Sequence, residues 1–591
     1  MHSRRSLRGA VAGLAVLAVT GALGTTVAAG PASSATTAGC PTAYPVADLG
    51  QLVKGDPVHG STVSSGTNPD AFTGTFIGVL EDGIAPGVPM ILVDLSSPEI
   101  DRVGGIWEGM SGSPVYTADG RLLGAVAYGL SNGPSPVAGV TPAEDMQQLF
   151  AGSGAPTPAA ARKVRLSRTL ASRVVATGDA TAAQVSDGYT QLRVPMVVSG
   201  MQGAHRRHDL ARGLAMSGRV LAGSSSSQAA PTYPIVPGGN LAASVSYGEV
   251  TAAAIGTVTE VCNSQVIGFG HPFMFSGRTS YALQGADAIY IQEDSLGAPF
   301  KLANIGAPVG TISGDHLAGI AGALGATPRT DTATSTTTVG GHTFTGTSHI
   351  AVPDATPDLA TATMVADQDR VLDYVGAGSG RVWWTIKGTR SDGTRFQLTR
   401  SDLYSSPYDI SYETAGELSN ELYQIYGAAR LRITSVTTHS VLSDRAVQYR
   451  IRSVQVRVHR HWQPLMNGGM LVARAGTTRK LRVQLGSPDV APRTVMVRLA
   501  IPARAARSNG LLAVVGGGND EGGEVYVDLG GGPSGGGLAS VLHRIRTQPH
   551  HGDVIAQVVL HRRGFVRHVQ GRASSGHVVR GSRTFLLHIS R

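Results

Sequence analysis

The chain reads as mainly β, with few helices and several domains, and three observations carry that reading. Its 591 residues exceed what one ordinary core accommodates. Glycine is abundant at 78 residues, whereas aromatic residues make up 5% and charged residues 15%, the composition of turn-rich strands. Apolar residues at 42% exclude a disordered chain. Third, Val454, Val456 and Val458 alternate with Gln455 and Arg457, and Leu481, Val483 and Leu485 alternate in the same way. That period of two marks half-exposed strands, as in C-terminal β-sandwich-like modules.

The first element is a targeting segment. Arg4, Arg5 and Arg8 precede an apolar run from Gly9 to Leu23, and small residues at 27–29 or 33–35 offer cleavage sites. Residues 1–35 are therefore expected to be a signal peptide, by Sec or twin-arginine export, of a secreted or extracytoplasmic chain. No later run is apolar enough to span a bilayer, so no transmembrane anchor is expected in the mature chain. In an exported chain the two cysteines, Cys40 and Cys262, most simply form one disulfide, two free thiols being the alternative. Closing so long a loop contributes roughly 5 kcal/mol in the chain-entropy account.

Strands are expected at Thr73–Leu80, Pro89–Leu95, Val115–Tyr116 and Leu122–Tyr128, with a hairpin turn at Ala118-Asp119-Gly120. A helix is expected to start near Thr141-Pro142-Ala143-Glu144, with Thr141 as N-cap and proline at the first position. Ser153–Ala161 and Ser224–Pro231 read as linkers, and Thr327–Thr347 as a surface hairpin or loop. Ser391-Asp392-Gly393 joins two strands, and Ala415, Leu418, Leu422 and Ile425 recur at helical spacing. The glycine tract Gly516–Gly537 lacks a P-loop ending and reads as a flexible loop.

The most informative stretch is Glu108-Gly109-Met110-Ser111-Gly112-Ser113-Pro114-Val115. A serine between glycines on a sharp turn, then a proline and an apolar strand, is how chymotrypsin-type proteases present their nucleophile. Gly109 and Gly112 permit backbone conformations that a side chain forbids, and the amides of Gly109 and Ser111 are candidates for an oxyanion hole. Met110 stands where trypsin-like enzymes carry an aspartate that pairs with a newly cut N-terminus, so that latch is not expected.

A serine nucleophile needs a base. Of 18 histidines, His459, His461, His550, His551, His561 and His568 lie among arginines and read as a solvated basic face without zinc-ligand spacing. His271 differs: in Ile267-Gly268-Phe269-Gly270-His271-Pro272-Phe273 it follows a predicted strand at a rigid turn. No metal and no cofactor is expected.

Together these segments resemble the SpoIVB-type serine peptidases, peptidase family S55. The resemblance runs through Gly104-Gly105-Ile106, Gly109–Pro114, Gly120–Val126 and Gly139–Met146, then Gly256–Thr259, Gly268–His271, Phe300–Leu302, Gly310–Ile312 and Gly319–Gly322. It covers about 200 residues in two blocks. It implies a chymotrypsin-like double β-barrel, with Ser111 as nucleophile and His271 as general base. The blocks stand in swapped order here, so the barrel is expected to be permuted, which a triad defined by geometry tolerates. The family's aspartate aligns with Ser96; Asp94, Asp101 and Asp287 are substitutes, and Asp94 is favoured because it ends a strand.

The implied organisation is a serine-bearing half of the peptidase domain at 36–152 and a connector or inserted segment at 153–235. A histidine-bearing half follows at 236–350, then a mixed α/β segment at 351–430, a β-sandwich-like module at 431–505, and a glycine-rich loop with a basic module at 506–591. The expected function is an exported serine endopeptidase acting on protein or peptide substrates. The alternative is a non-catalytic secreted pseudoprotease serving as a scaffold that binds proteins or cell wall. Arg544, Arg546, Arg562, Arg563, Arg567, Arg572, Arg580 and Arg583 face almost no acid. Without an aromatic stacking series in an exported chain they do not read as nucleic-acid binding. Attraction to an anionic cell-wall polymer is the expected role.

Overall fold

The computed structural model describes residues 40–151, 163–216, 219–223, 226–227, 229–294, 297–518, 537–561 and 565–591. The expected signal peptide, the linker Ser153–Ala161, most of the glycine tract, Arg562 and Arg563 lie outside the described residues, as do the side chains of His561, Arg567 and His568. The protein is mainly β, with closed barrel and further sheets.

The first barrel comprises β1 (Pro57–Thr62), β2 (Asp70–Ala85), β3 (Val88–Ser96), β4 (Pro114–Thr117), β5 (Leu122–Leu130) and β6 (Val137–Pro142), with a short helix α1 (Pro98–Val103) after β3. The ring runs β1-β2-β3-β6-β5-β4 and closes on β1. β3 and β5 are apolar on both faces because they pack inside the barrel and against neighbouring layers. Phe72, Phe76, Ile91, Val93, Val115, Leu123 and Val140 share one core with Trp107 and Met110 of the serine segment.

The second barrel comprises β7 (Asn240–Gly248), β8 (Thr251–Cys262), β9 (Gln265–Gly268), β10 (Gly277–Gln292), β11 (Phe300–His316) and β12 (Gly319–Leu324). It closes as β7-β8-β9-β12-β11-β10 back to β7, the same ring order as the first. Both barrels are antiparallel throughout, and in both the third strand leads to the fourth through a loop that carries a candidate catalytic residue. The disulfide Cys40–Cys262 is formed and ties the segment before the first barrel to the end of β8.

The threonine-rich stretch is a hairpin of β13 (Asp331–Val339) and β14 (His342–Ile350), with hydroxyl pairs Thr336–Thr345 and Thr338–Thr343 across it. It continues the second barrel's sheet into β15 (Gly378–Arg390), β16 (Arg395–Ser406) and β17 (Leu431–Ser443). β17 pairs with β13 and β15, so the pairings carry this layer to residue 443 and place no boundary at 351 or 431. Helices α2 (Thr356–Leu372) and α3 (Ile410–Ala428) cover it, with Ala415, Leu418, Leu422 and Ile425 buried as their spacing predicts.

Residues 448–590 form two five-stranded sheets. Leu481, Val483 and Leu485 of one sheet share a core with Leu512, Val514, Phe585 and Leu587 of the other. The strands on either side of residue 505 thus build one sandwich, since neither sheet covers its apolar face alone. Helix α4 (Leu538–Thr547) leaves the sandwich and buries Leu538, Val541, Leu542 and Ile545 in the core beside α3. Among the described residues no helix is long and apolar enough to cross a membrane.

Candidate functional site

Each barrel holds the other's third-to-fourth loop. On the serine turn, Gly109 and Gly112 have φ of 97° and 99°, a region that favours glycine. A side chain at Gly112 would drive into the Thr257 carbonyl and the Phe269 amide. Threonines on β8 of the second barrel grip this turn. The Thr257 hydroxyl donates to the Gly109 carbonyl (3.0 Å), the Thr257 amide to the Ser111 carbonyl (2.8 Å), and the Thr259 hydroxyl to the Gly112 carbonyl (2.7 Å). The Glu108 amide donates to the Pro299 carbonyl (2.7 Å), and the Lys301 amide donates back to the Glu108 carbonyl (3.0 Å).

The reciprocal grip falls on the histidine turn. The Thr141 hydroxyl, at the end of β6, donates to the Gly270 carbonyl (2.6 Å). Thr141 is therefore not the expected helix cap: Pro142 takes the N-cap of the helix Ala143–Gln147, and the hydroxyl is drawn to a buried carbonyl across the barrel junction. On the other side of the turn the Asp315 carboxylate accepts from the amides of Phe273 (2.9 Å), Met274 (2.8 Å) and Ser276 (3.2 Å) and from the Tyr281 hydroxyl (3.0 Å).

These grips place Ser111 Oγ 3.0 Å from His271 Nε2. Nδ1 of the same ring lies 2.8 Å from the Pro272 carbonyl. A carbonyl only accepts, so Nδ1 carries the ring proton and Nε2 presents its lone pair to the serine. Burial holds the His271 pKa below its ordinary value, keeping the ring neutral; contacts to the Pro272 and Leu192 carbonyls and the Asp315 charge oppose that. Among the described residues the amides of Gly109 and Ser111 meet no acceptor, whereas those of Glu108, Met110, Gly112 and Ser113 each donate to a carbonyl. The two amides expected to form an oxyanion hole are thus the uncommitted donors of this turn.

Both reacting groups are closed off: Ser111 is 0% and His271 2% exposed. The segment Leu192–Pro195 lies across them. The Leu192 carbonyl lies 3.0 Å from Ser111 Oγ and competes with His271 Nε2 for its single proton, the Leu192 amide donates to the Ala127 carbonyl (2.9 Å), and the Pro195 carbonyl accepts from the Ile255 amide (3.0 Å).

None of the three candidate acids reaches the histidine, whose two nitrogens are taken by Ser111 and Pro272. Asp94 sits on β3 between β2 and β6, where burial and the neighbouring Asp179 carboxylate push its pKa up to about 6. Asp101 is exposed on α1, and Asp287 lies on β10 opposite Asn304. The acid near His271 is Asp315, which the sequence reading passed over. Its signal is a lone charge in the otherwise small and apolar run Ile312–Ile320, where a buried carboxylate needs several donors.

His550 is exposed, as a solvated face requires, whereas His551 is half-buried, and both meet a carboxylate. His550 Nδ1 lies 3.3 Å from Asp402, and the His551 ring faces Tyr404 edge-on while its amide donates to Asp402 (2.8 Å). Asp402, Glu417 and His551 come within 4.8 Å of one another. The Arg400 guanidinium occupies the same cluster, pairing with Asp402 (3.0 Å), Glu417 (2.6 Å) and Glu421 (3.1 Å), and supplies the cation these carboxylates need.

The fold and site define a double β-barrel protein with a buried serine–histidine pair at the barrel junction. No protein family, curated protein or solved structure matches the chain.

Proposed function

We propose that this protein is an exported serine endopeptidase of the S55 kind, working through Ser111 and His271. The observation that carries the reading is the 3.0 Å contact between Ser111 Oγ and an Nε2 held as acceptor. His271 takes the serine proton as Oγ attacks a peptide carbonyl, and the Gly109 and Ser111 amides stabilise the oxyanion. The imidazolium then protonates the leaving amine, and water attacking the acyl-serine restores both residues. The Pro272 carbonyl orients the ring where a triad places an acid, and Asp315 fixes the turn that carries that carbonyl. The Leu192–Pro195 segment must shift for substrate to enter. Among the basic C-terminal residues Arg572 and Arg580 pair with Asp553 (3.6 Å) and Glu413 (3.1 Å), against the expectation that they face almost no acid, so attraction to an anionic cell-wall polymer falls to the others.

The complete burial of the pair, with a carbonyl instead of a carboxylate on Nδ1, favours a second reading: a non-catalytic binding protein on the same fold. Labelling with a fluorophosphonate probe separates the two. The peptidase reading predicts labelling of the wild type that is lost in Ser111→Ala and His271→Ala while circular dichroism is unchanged. A folded wild type that stays unlabelled, also after the Leu192–Pro195 segment is loosened by Pro195→Gly, supports the binding protein.

A further inference from the structure

An open cavity of about 590 Å³ lies at the edge strand β16, lined by Arg381, Trp383, Thr399, Arg400, Ser401, Arg546 and His550. Register explains its shape. On β15, Trp383 is flanked by His439 of β17 and Ser401 of β16. The His439 ring stacks on the indole at 5.4 Å and 14°. On the other flank stands the small Ser401, and the half-buried indole and Ser401 both line the cavity.

The charges around the cavity differ in kind. Arg400 is matched by Asp402, Glu417 and Glu421, and His550 rests on Asp402. Arg381 and Arg546 are exposed and form no ion pair among the described residues; Arg546 donates to the Gln397 carbonyl (2.6 Å), which leaves other guanidinium donors open. Two unmatched guanidinium groups, a half-buried indole and the Ser401 hydroxyl thus line one space, whereas the Thr399 hydroxyl is shared with Thr385 (3.1 Å). Guanidinium forks suit phosphoryl oxygens, an aromatic ring suits the apolar side of a sugar ring, and the Ser401 hydroxyl suits its oxygens.

We infer that this cavity binds a phosphorylated carbohydrate, either a free sugar phosphate or the repeat of a phosphate-bearing glycan. The inference is independent of the peptidase reading.

The test is calorimetric titration of the full mature chain with glucose 6-phosphate, glucose, inorganic phosphate, adenosine monophosphate and a poly(glucosyl phosphate) glycan. Glucose 6-phosphate or the glycan is expected to bind at least tenfold more tightly than glucose or inorganic phosphate. Binding of both assigns the shared repeat, binding of the first alone a free sugar phosphate, and binding of the second alone a polymer. Arg381→Ala with Arg546→Ala is expected to weaken binding at least tenfold and flatten its salt dependence. Ser401→Trp, which fills the space beside the Trp383 indole, is expected to abolish it. Equal binding of inorganic phosphate, tighter binding of adenosine monophosphate, or affinity unchanged in folded variants overturns the inference.

Discussion

The two barrels share one ring order, yet their third-to-fourth loops are secured differently. The serine loop is held by the neighbouring barrel: Thr257 and Thr259 hydroxyls bind its carbonyls, and no carboxylate takes part. The histidine loop receives one such hydroxyl, from Thr141, and is otherwise organised by Asp315 of its own barrel. In the serine loop the grip from the other barrel's threonines falls on carbonyls, and the amides of Gly109 and Ser111 stay uncommitted, as the proposed oxyanion hole requires. The histidine loop must present a ring in one tautomer, so its amides are tied down and one carbonyl, that of Pro272, is aimed at Nδ1.

The largest effect should come from breaking the histidine loop's anchor. Asp315→Ala leaves the amides of Phe273, Met274 and Ser276 without their acceptor, while the Tyr281 hydroxyl keeps Ser276 Oγ (2.8 Å). It is expected to cost about 3 kcal/mol of stability by denaturant unfolding. Asp315→Asn, which keeps the shape, should retain folding but slow probe labelling at least tenfold and displace its pH profile. An unchanged profile would make Asp315 merely structural.

Thr257→Val tests the serine loop. It removes the hydroxyl from the Gly109 carbonyl while keeping shape, at an expected cost of about 2 kcal/mol. Slower labelling from a looser turn should accompany it. A variant as stable as the wild type would show that the junction does not depend on this bond.

The smallest effect concerns Asp94, the acid favoured from the sequence. Its carboxyl titrates at about 6 in the folded chain and lower in the unfolded one, so stability falls as pH rises between the two values and the full cost is present above about 6. The shift, converted in full, approaches about 3 kcal/mol, and solvent screening of this half-exposed group lowers it to about 1 kcal/mol. Asp94→Asn is therefore expected to be more stable than the wild type at pH 7.5, with the difference vanishing by pH 4, as read from thermal midpoints. Slower labelling in that variant would return Asp94 to the site.

The sequence by itself determined the strands, the mainly β class, the serine turn and the pair Ser111 and His271. Period-two alternation, paired glycines and a Gly-His-Pro turn are local signals, fixed by backbone sterics and side-chain direction. Cys40 and Cys262 were legible for a simpler reason, being the only two cysteines. Tertiary structure decided the rest. Asp94 and Asp315 are both acids within strand runs, and only the packing shows that one faces Asp179 while the other caps the histidine turn. Thr141 looked like a helix cap because capping is a local preference, but a buried carbonyl across the junction competed for its hydroxyl. The continuity of β13 to β17 with the second barrel, and of the sandwich across residue 505, likewise depends on pairings between distant strands, which no local pattern encodes.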